Sequence, residues 1–159
     1  MAENVQASDD QRRLSIHVDY LFGKGVSKAL PRSGIKLYFS RKSGRLKLVF
    51  ISGNLFATVK PNGGMALTLF GAEILSKSRK FSECCVVAKK EAQEFVRGGK
   101  SVFCKFVEKA GMNIPPGGEV AVVDGKGRVI GVGKALMNGK FMTQFKSGVA
   151  VKVRDGAGS

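Results

Sequence analysis

Short runs in which apolar residues alternate with polar ones occupy much of the first half of this chain. The runs at 35–40 and 45–51 flank Arg41-Lys42-Ser43-Gly44, and a glycine at the end of such a loop is typical of a β-hairpin. The runs at 54–60 and 65–69 are separated by the turn sequence Pro61-Asn62-Gly63-Gly64. The first half is therefore predicted to contain three or four antiparallel strands.

Three segments have a helical pattern instead. The segment 12–30 predicts a helix that ends near Gly23, because glycine readily adopts the conformation that closes a helix. A second helix is predicted at 70–78. A third, at 89–97, is amphipathic and is expected to bury Phe95 together with neighbouring apolar residues.

The second half returns to short strands. A strand is predicted to open at Cys84, the runs 118–124 and 127–135 flank the turn Asp124-Gly125-Lys126, and 148–154 is expected to be a closing strand. Many short strands with one helix favour a small closed or half-closed barrel.

These patterns predict an α+β protein with two units. A small antiparallel-sheet α+β domain is expected at 12–80 and a β pseudo-barrel domain at 81–159. Residues 1–11 are polar and acidic, and we expect them to be disordered.

The charge of the chain indicates the kind of partner. It has 159 residues and a formal net charge of +15, and both halves are basic, so a polyanion such as nucleic acid is the favoured ligand over an acidic membrane or protein. No run approaches the ~20 apolar residues of a membrane helix, and the first ten residues do not resemble a secretory signal. We therefore expect a cytoplasmic protein with no membrane partner.

Candidate catalytic groups are few. The single histidine, His17, is two residues from Asp19, a spacing that does not place both on one helix face. The three cysteines form no Cys-x-x-Cys pair, so buried structural thiols are expected. No catalytic residue, cofactor or metal site is predicted, and an autonomous RNA-modifying enzyme is a minor alternative.

Four glycine-containing blocks follow one another between Phe95 and Arg154, and they carry a resemblance. With these blocks in this order, residues 84–155 resemble a PUA domain, an RNA-binding module of pseudouridine synthases and archaeosine transglycosylases. The blocks are Gly98-Gly99-Lys100-Ser101-Val102, Ile114-Pro115-Pro116-Gly117, Val129-Ile130-Gly131-Val132-Gly133-Lys134 and Gly148-Val149-Ala150-Val151-Lys152-Val153-Arg154.

The first half resembles the domain that precedes PUA in archaeal tRNA-guanine transglycosylase. The resemblance is carried by Asp19-Tyr20-Leu21-Phe22-Gly23-Lys24-Gly25 and by Tyr38-Phe39-Ser40-Arg41-Lys42-Ser43-Gly44-Arg45. It implies binding of a structured RNA, most of all the acceptor stem and 3′ end of tRNA. It also implies a non-catalytic chain that could accompany a separate catalytic transglycosylase chain. Ribosomal RNA is the alternative ligand.

The resemblance further implies which PUA residues face the RNA, and the hairpin tip adds three candidates from its charge alone. The PUA positions are Gly98, Gly99, Lys100, Ser101, Gly131, Gly133, Lys134, Val151, Lys152 and Arg154, and the tip positions are Arg41, Lys42 and Arg45.

Each group of candidates also has a purely structural interpretation. Gly98 and Gly99 could simply end a helix, and the bare strand face at Gly131 and Gly133 could admit either a ribose-phosphate backbone or tight packing. The tip cations could be solvated only, and Gly23-Lys24-Gly25 could form either a phosphate-binding loop or a plain turn.

Overall fold

A computed structural model describes residues 2–158 of the protein. In that range the chain forms ten strands and four α-helices, arranged as two sheets that meet side by side. The α-helices are α1 (Ala2–Phe22), α2 (Leu69–Leu75), α3 (Lys90–Arg97) and α4 (Gly139–Met142).

The first sheet is antiparallel and has the order β1-β2-β3-β4. The predicted hairpin is confirmed, since β1 and β2 pair and Gly44 has φ 69°. The register between β2 and β3 shifts so that Phe56 has no partner, and this bulge turns Phe56 into the core beneath the sheet. The strands are β1 (Ile35–Phe39), β2 (Leu46–Ile51), β3 (Asn54–Val59) and β4 (Met65–Leu67).

Helix α1 begins earlier than the sequence predicted. Residues 1–11 were expected to be disordered, but residues 2–11 belong to α1, and residue 1 lies outside the described range. Asp10 is buried and bonded to Gln6, and Gln11 donates a hydrogen bond of 3.2 Å to the carbonyl oxygen of Pro31. The predicted end near Gly23 is confirmed, because α1 stops at Phe22.

The second sheet is mixed and nearly closes on itself. Its order is β6-β10-β9-β8-β5-β7, and only β5 and β8 run parallel among its pairs in the described residues. This is the predicted β pseudo-barrel, and the overall class is α+β. Its strands are β5 (Cys85–Ala88), β6 (Val102–Phe103), β7 (Val107–Ala110), β8 (Glu119–Val123), β9 (Val129–Ala135) and β10 (Val149–Gly156).

Helix α3 corrects one prediction about the core. Ala92 and Val96 are buried as expected, but Phe95 is 63% exposed. Ala92 and Val96 are four residues apart and form the stripe of α3 that packs against β9 and β10, and Phe95 lies to one side of that stripe.

Candidate nucleic-acid interface

Two lysines lie side by side on the exposed surface of the second sheet. Lys134 of β9 and Lys152 of β10 are direct cross-strand partners, and both side chains are exposed. Glu119 of β8 is the partner of Lys134 on its other side. Side chains that are directly opposite in an antiparallel pair share a face, so these three residues form one row across the sheet.

Arg154 lies on the same face of β10 as Lys152, but it has a different role. Its guanidinium donates hydrogen bonds to the Glu119 carboxylate and a further one of 2.7 Å to the carbonyl oxygen of Leu67 in β4. Glu119 in turn accepts the Leu67 N–H at 2.5 Å. The predicted RNA-facing arginine therefore joins the two sheets.

In the contact between Glu119 and Arg154, which joins the two sheets, the carboxylate is the buried partner. Only 4% of the Glu119 side chain is exposed, and burial raises the pKa of this carboxyl group, while the Arg154 guanidinium partly offsets that rise. The carboxylate is therefore dependent on Arg154 for its charge compensation.

A cleft opens beside this joint, between the two sheets. It encloses about 260 Å³ and is lined by Lys60 and Asn62 from the first unit and by the Pro115–Gly118 turn from the second. Gly117 has φ 79°, and the Cε atom of Lys134 lies 3.6 Å from the position that a Cβ on Gly117 would take. Lys134 therefore reaches the rim of the cleft.

The hairpin tip adjoins the same cleft. Arg41, Lys42 and Arg45 are all exposed, and Arg45 Nη1 donates a hydrogen bond of 3.2 Å to the carbonyl oxygen of Pro61. Residues 60–64, which contribute to the cleft wall, are also held by His17, whose Nε2 lies 2.6 Å from the Gly63 carbonyl oxygen. The structure thus brings Arg45 next to the cleft, and Arg41 and Lys42 belong to the same hairpin tip.

The segment 98–101 has a structural role in its first part. The N–H groups of Gly98, Gly99 and Lys100 donate to carbonyl oxygens of α3, and Gly99 has φ 87°. These N–H groups cap the C-terminal end of α3, so they already have acceptors within the protein. Lys100 remains exposed, and the next strand, β6, pairs with β10, so Lys100 and Ser101 lie alongside the strand that carries Lys152.

Three predicted contact residues lie in the interior. Val151 has an exposed fraction of 0%, and Gly131 and Gly133 are buried. A Cβ on Gly133 would overlap the carbonyl oxygen of Lys152, and one on Gly131 would come within 2.9 Å of Val96. The bare strand face is filled by tight packing, which is the structural interpretation of Gly131 and Gly133, and contact of these three residues with RNA stays a prediction.

The loop Gly23-Lys24-Gly25 is a turn closed by the protein itself. The Asp19 carboxylate accepts the N–H of Ser27 at 2.8 Å and also that of Gly25. Burial alone would raise the pKa of Asp19, but these hydrogen bonds hold it below its ordinary value. An anion from this chain therefore occupies the place where a phosphate could have bound.

Sequence reasoning missed Lys60, Asn62 and Glu119. One signal was available for the lysine: residues 20–72 contain nine Lys or Arg residues and no Asp or Glu. Cations in this segment therefore have no neighbouring carboxylate along the chain. No local pattern marks Glu119, since its partners lie 52 and 35 residues away in the sequence.

The thiols are free and buried, as predicted. Burial raises the pKa of Cys84 to about 11 and that of Cys85 to about 12, and it also raises the pKa of Cys104. Within residues 2–158, no group of three or more His, Cys, Asp or Glu side chains is placed to hold a metal ion. None of the helices in that range has the length and apolar character needed to cross a membrane.

Family comparisons agree with this architecture. The model of the PUA domain matches residues 85–157, and the model of patch-forming domain C2 of tRNA-guanine transglycosylase matches residues 12–81. The chain therefore contains a PUA domain preceded by a C2-type domain.

More specifically, it is homologous to the C-terminal region of archaeal tRNA-guanine(15) transglycosylases. The Thermoplasma volcanium enzyme is 35% identical over 150 residues, which is 94% of this chain and 24% of that enzyme. The Pyrococcus abyssi enzyme is 39% identical over 139 residues, covering 87% of this chain and 23% of that enzyme. The chain thus spans about a quarter of the length of these relatives.

Solved structures share the fold along most of the chain. A hypothetical protein from Pyrococcus horikoshii has a TM-score of 0.73 at 23% identity, covering 96% of this chain and 92% of its own. A conserved PUA domain protein from Thermoplasma acidophilum has a TM-score of 0.67 at 17% identity, with coverages of 96% and 91%.

Proposed function

We propose that this protein binds structured RNA, specifically tRNA, along a basic path from the hairpin tip across the cleft to β9 and β10. The path consists of Arg41, Lys42, Arg45, Lys60, Lys134 and Lys152, with Lys100 and Ser101 at its far end. The homology to tRNA-guanine(15) transglycosylases supports tRNA as the ligand, because those relatives act on tRNA.

The juxtaposition of Lys134 and Lys152 is the observation that carries this proposal. Lysines directly opposite each other on neighbouring strands are an unfavourable like-charge pair, and Glu119, the carboxylate next to Lys134 in the row, is already paired with Arg154. The ion pairs found in the described part of the chain use Arg97, Arg128 and Arg154 rather than these lysines. A phosphate group would neutralise the pair.

We infer a division of labour between the two units. The unit at 81–159 holds the acceptor stem and 3′ end, and the unit at 12–80 supports the rest of the tRNA from the hairpin tip. The chain performs no chemistry itself and acts with a separate catalytic transglycosylase chain. The thiols support a role without chemistry of its own, because burial keeps them protonated and therefore weakly nucleophilic.

The test is a tRNA titration at several salt concentrations with two double variants. Lys134→Gln with Lys152→Gln should weaken binding about tenfold and reduce the slope of log K against log salt by about one to two. The matched control is Lys90→Gln with Lys126→Gln, which removes the same charge where Glu108 and Asp124 line the neighbouring surface. Equal effects of both pairs would contradict the proposed path.

Two further measurements test the finer assignments. A tRNA that lacks its 3′-terminal nucleotides should bind more weakly than intact tRNA. A catalytic transglycosylase chain should co-purify with this protein and exchange the base only in its presence. Crosslinks concentrated on ribosomal RNA would count against tRNA as the ligand.

A further inference from the structure

The first sheet has one face that no core covers. Alternation along the strands and the bulge at Phe56 place a set of apolar side chains on the side opposite α1. These side chains are half-buried or exposed, and none of them belongs to the hydrophobic core beneath the sheet. We call this set the outer face, and its apolar members are Tyr38, Leu48, Phe50, Leu55 and Ala66.

Two aromatic rings form the centre of the outer face. The rings of Tyr38 and Phe50 pack edge to face, with centroids 5.3 Å apart and an angle of 72° between the planes. Half of Tyr38 is exposed, although it packs against its neighbour. Leu48 lies directly opposite Tyr38 on β2 and is its cross-strand neighbour on this face. The ring is thus held in position while part of it remains open to a ligand.

The charge around the outer face points to a polyanionic occupant. Lys36 lies on the same face of β1, two residues from Tyr38, whereas the exposed Lys47 falls where the register between β1 and β2 shifts and is not assigned to this face. The strands β1–β4 contain these two lysines and no carboxylate. An exposed apolar patch marks an interaction site, and one flanked only by cations suits nucleic acid better than an average protein surface.

Aromatic rings on an open four-stranded sheet with flanking cations can stack unpaired bases. Each base offers a flat π-face to the ring, and a lysine on the same face can neutralise a neighbouring phosphate. Paired bases cannot use such a surface because their faces are covered within the helix. The chemistry of the outer face therefore favours single-stranded segments.

We propose that the outer face is a stacking platform for unpaired bases, with Tyr38 as the principal contact and Lys36 as a phosphate contact. The platform rests on the proposed RNA-binding function, but it is a separate surface, since none of its residues lines the cleft. The cleft path would hold backbone phosphates, and the platform would hold a looped-out or terminal single strand.

The composition of the chain provides a direct probe. It contains two tyrosines and no tryptophan, so Tyr20→Phe leaves Tyr38 as the only tyrosine. Titration of this variant with a single-stranded RNA oligonucleotide should quench the tyrosine emission, and a duplex of the same length should not. The full-length chain is used throughout.

Affinity measurements on three tyrosine variants separate stacking from charge. Tyr38→Ala should weaken binding of the single-stranded oligonucleotide about tenfold and leave its salt slope and the affinity for intact duplex unchanged. Tyr38→Phe should bind like the wild type, because the ring is kept. Tyr20→Ala is the matched control, since Tyr20 is 85% exposed on α1 and is not part of the platform.

Several outcomes would overturn the platform. The first is equal affinity of Tyr38→Ala and the wild type for the single-stranded oligonucleotide. The second is a dimer, seen by sedimentation, that Tyr38→Ala dissociates. In that case a second copy of the chain would cover the outer face. If the wild type binds neither tRNA nor oligonucleotide, the proposed function itself fails. If it binds both and only the Tyr38 effects are missing, the platform alone is wrong.

Discussion

At the scale of single residues, Arg154 was predicted to contact RNA, and in the structure it stabilises the fold. Its guanidinium satisfies a buried carboxylate on β8 and a backbone carbonyl on β4 at once. Planar, multivalent donation of this kind is what distinguishes arginine from lysine. The relative position of the two sheets, and hence the shape of the cleft, depends on this contact.

Arg154→Ala should destabilise the protein by about 2–3 kcal/mol, because it leaves the Glu119 carboxylate buried without its partner. This is below the range for fully buried pairs, since 39% of the Arg154 side chain is exposed. Urea unfolding measures the change. Adding Glu119→Gln should restore about half of the loss, because a neutral amide can still accept the Leu67 N–H. A double variant no more stable than Arg154→Ala would contradict this account.

Asp124 predicts a pH dependence of stability. Burial alone would raise its pKa, but the N–H groups of Arg128 and Lys126 and the Arg128 guanidinium hold the pKa below its ordinary value. A lowered pKa means that the fold favours the ionised form, so this stabilisation is present above the ordinary pKa and is lost as the pH falls through the folded-state pKa. Asp124→Asn should cost about 1–2 kcal/mol at pH 7, and the difference from wild type in urea unfolding should shrink in acid. If the difference in the free energy of unfolding between wild type and Asp124→Asn stayed constant into the acid range, the proposed role of the ionised Asp124 would be contradicted.

At the scale of elements, strand β9 is shaped by its glycines. Gly133 is buried where β10 crosses it, and the nearest atoms to a new Cβ would be backbone atoms of Lys152 and Val153. Backbone in a paired strand cannot move aside as a flexible side chain can. This explains why glycine is needed in the middle of a strand that otherwise favours branched residues.

Gly133→Ala should therefore destabilise the protein by about 3 kcal/mol, near the upper end for overpacking. The control is Gly125→Ala in the β8–β9 turn, where a Cβ would meet no atom within 4 Å. That variant should change the stability by less than about 0.5 kcal/mol. Thermal or urea unfolding of the two variants measures both values. Similar losses of stability would show that the close approach of the β10 backbone is not the reason for glycine at position 133.

Elements bounded by turn chemistry could be predicted from the sequence, and those fixed by distant partners could not. The hairpins at Gly44 and Asp124 have local signals, because the turn residues determine them. The first turns of α1, the exposure of Phe95 and the burial of Val151 depend on contacts with residues far along the chain. The same holds for the site, where exposed lysines were found from the sequence but Glu119 and the role of Arg154 were not.

At the scale of the whole molecule, the two sheets share a core. The larger hydrophobic cluster joins residues of α1 and the first sheet to Cys84, Cys85, Val123 and Val132 of the second unit. A separate cluster fills the pseudo-barrel and includes Cys104. Since the first cluster crosses from one unit to the other, neither unit completes its core alone.

The whole chain should therefore unfold in one cooperative step, and its cysteines can report this. Burial keeps all three thiols unreactive in the folded state, with the pKa of Cys84 raised to about 11 and that of Cys85 to about 12. Thiol labelling of the wild-type chain across a urea gradient, with the labelled cysteines identified by mass spectrometry, should give Cys84 and Cys85 in the shared core the same midpoint as Cys104 in the pseudo-barrel. Val132→Ala in the shared core should lower both midpoints together, by about 2 kcal/mol in stability. Two separate midpoints would show that the units unfold independently, and the cleft between them would then be a hinge rather than a fixed groove.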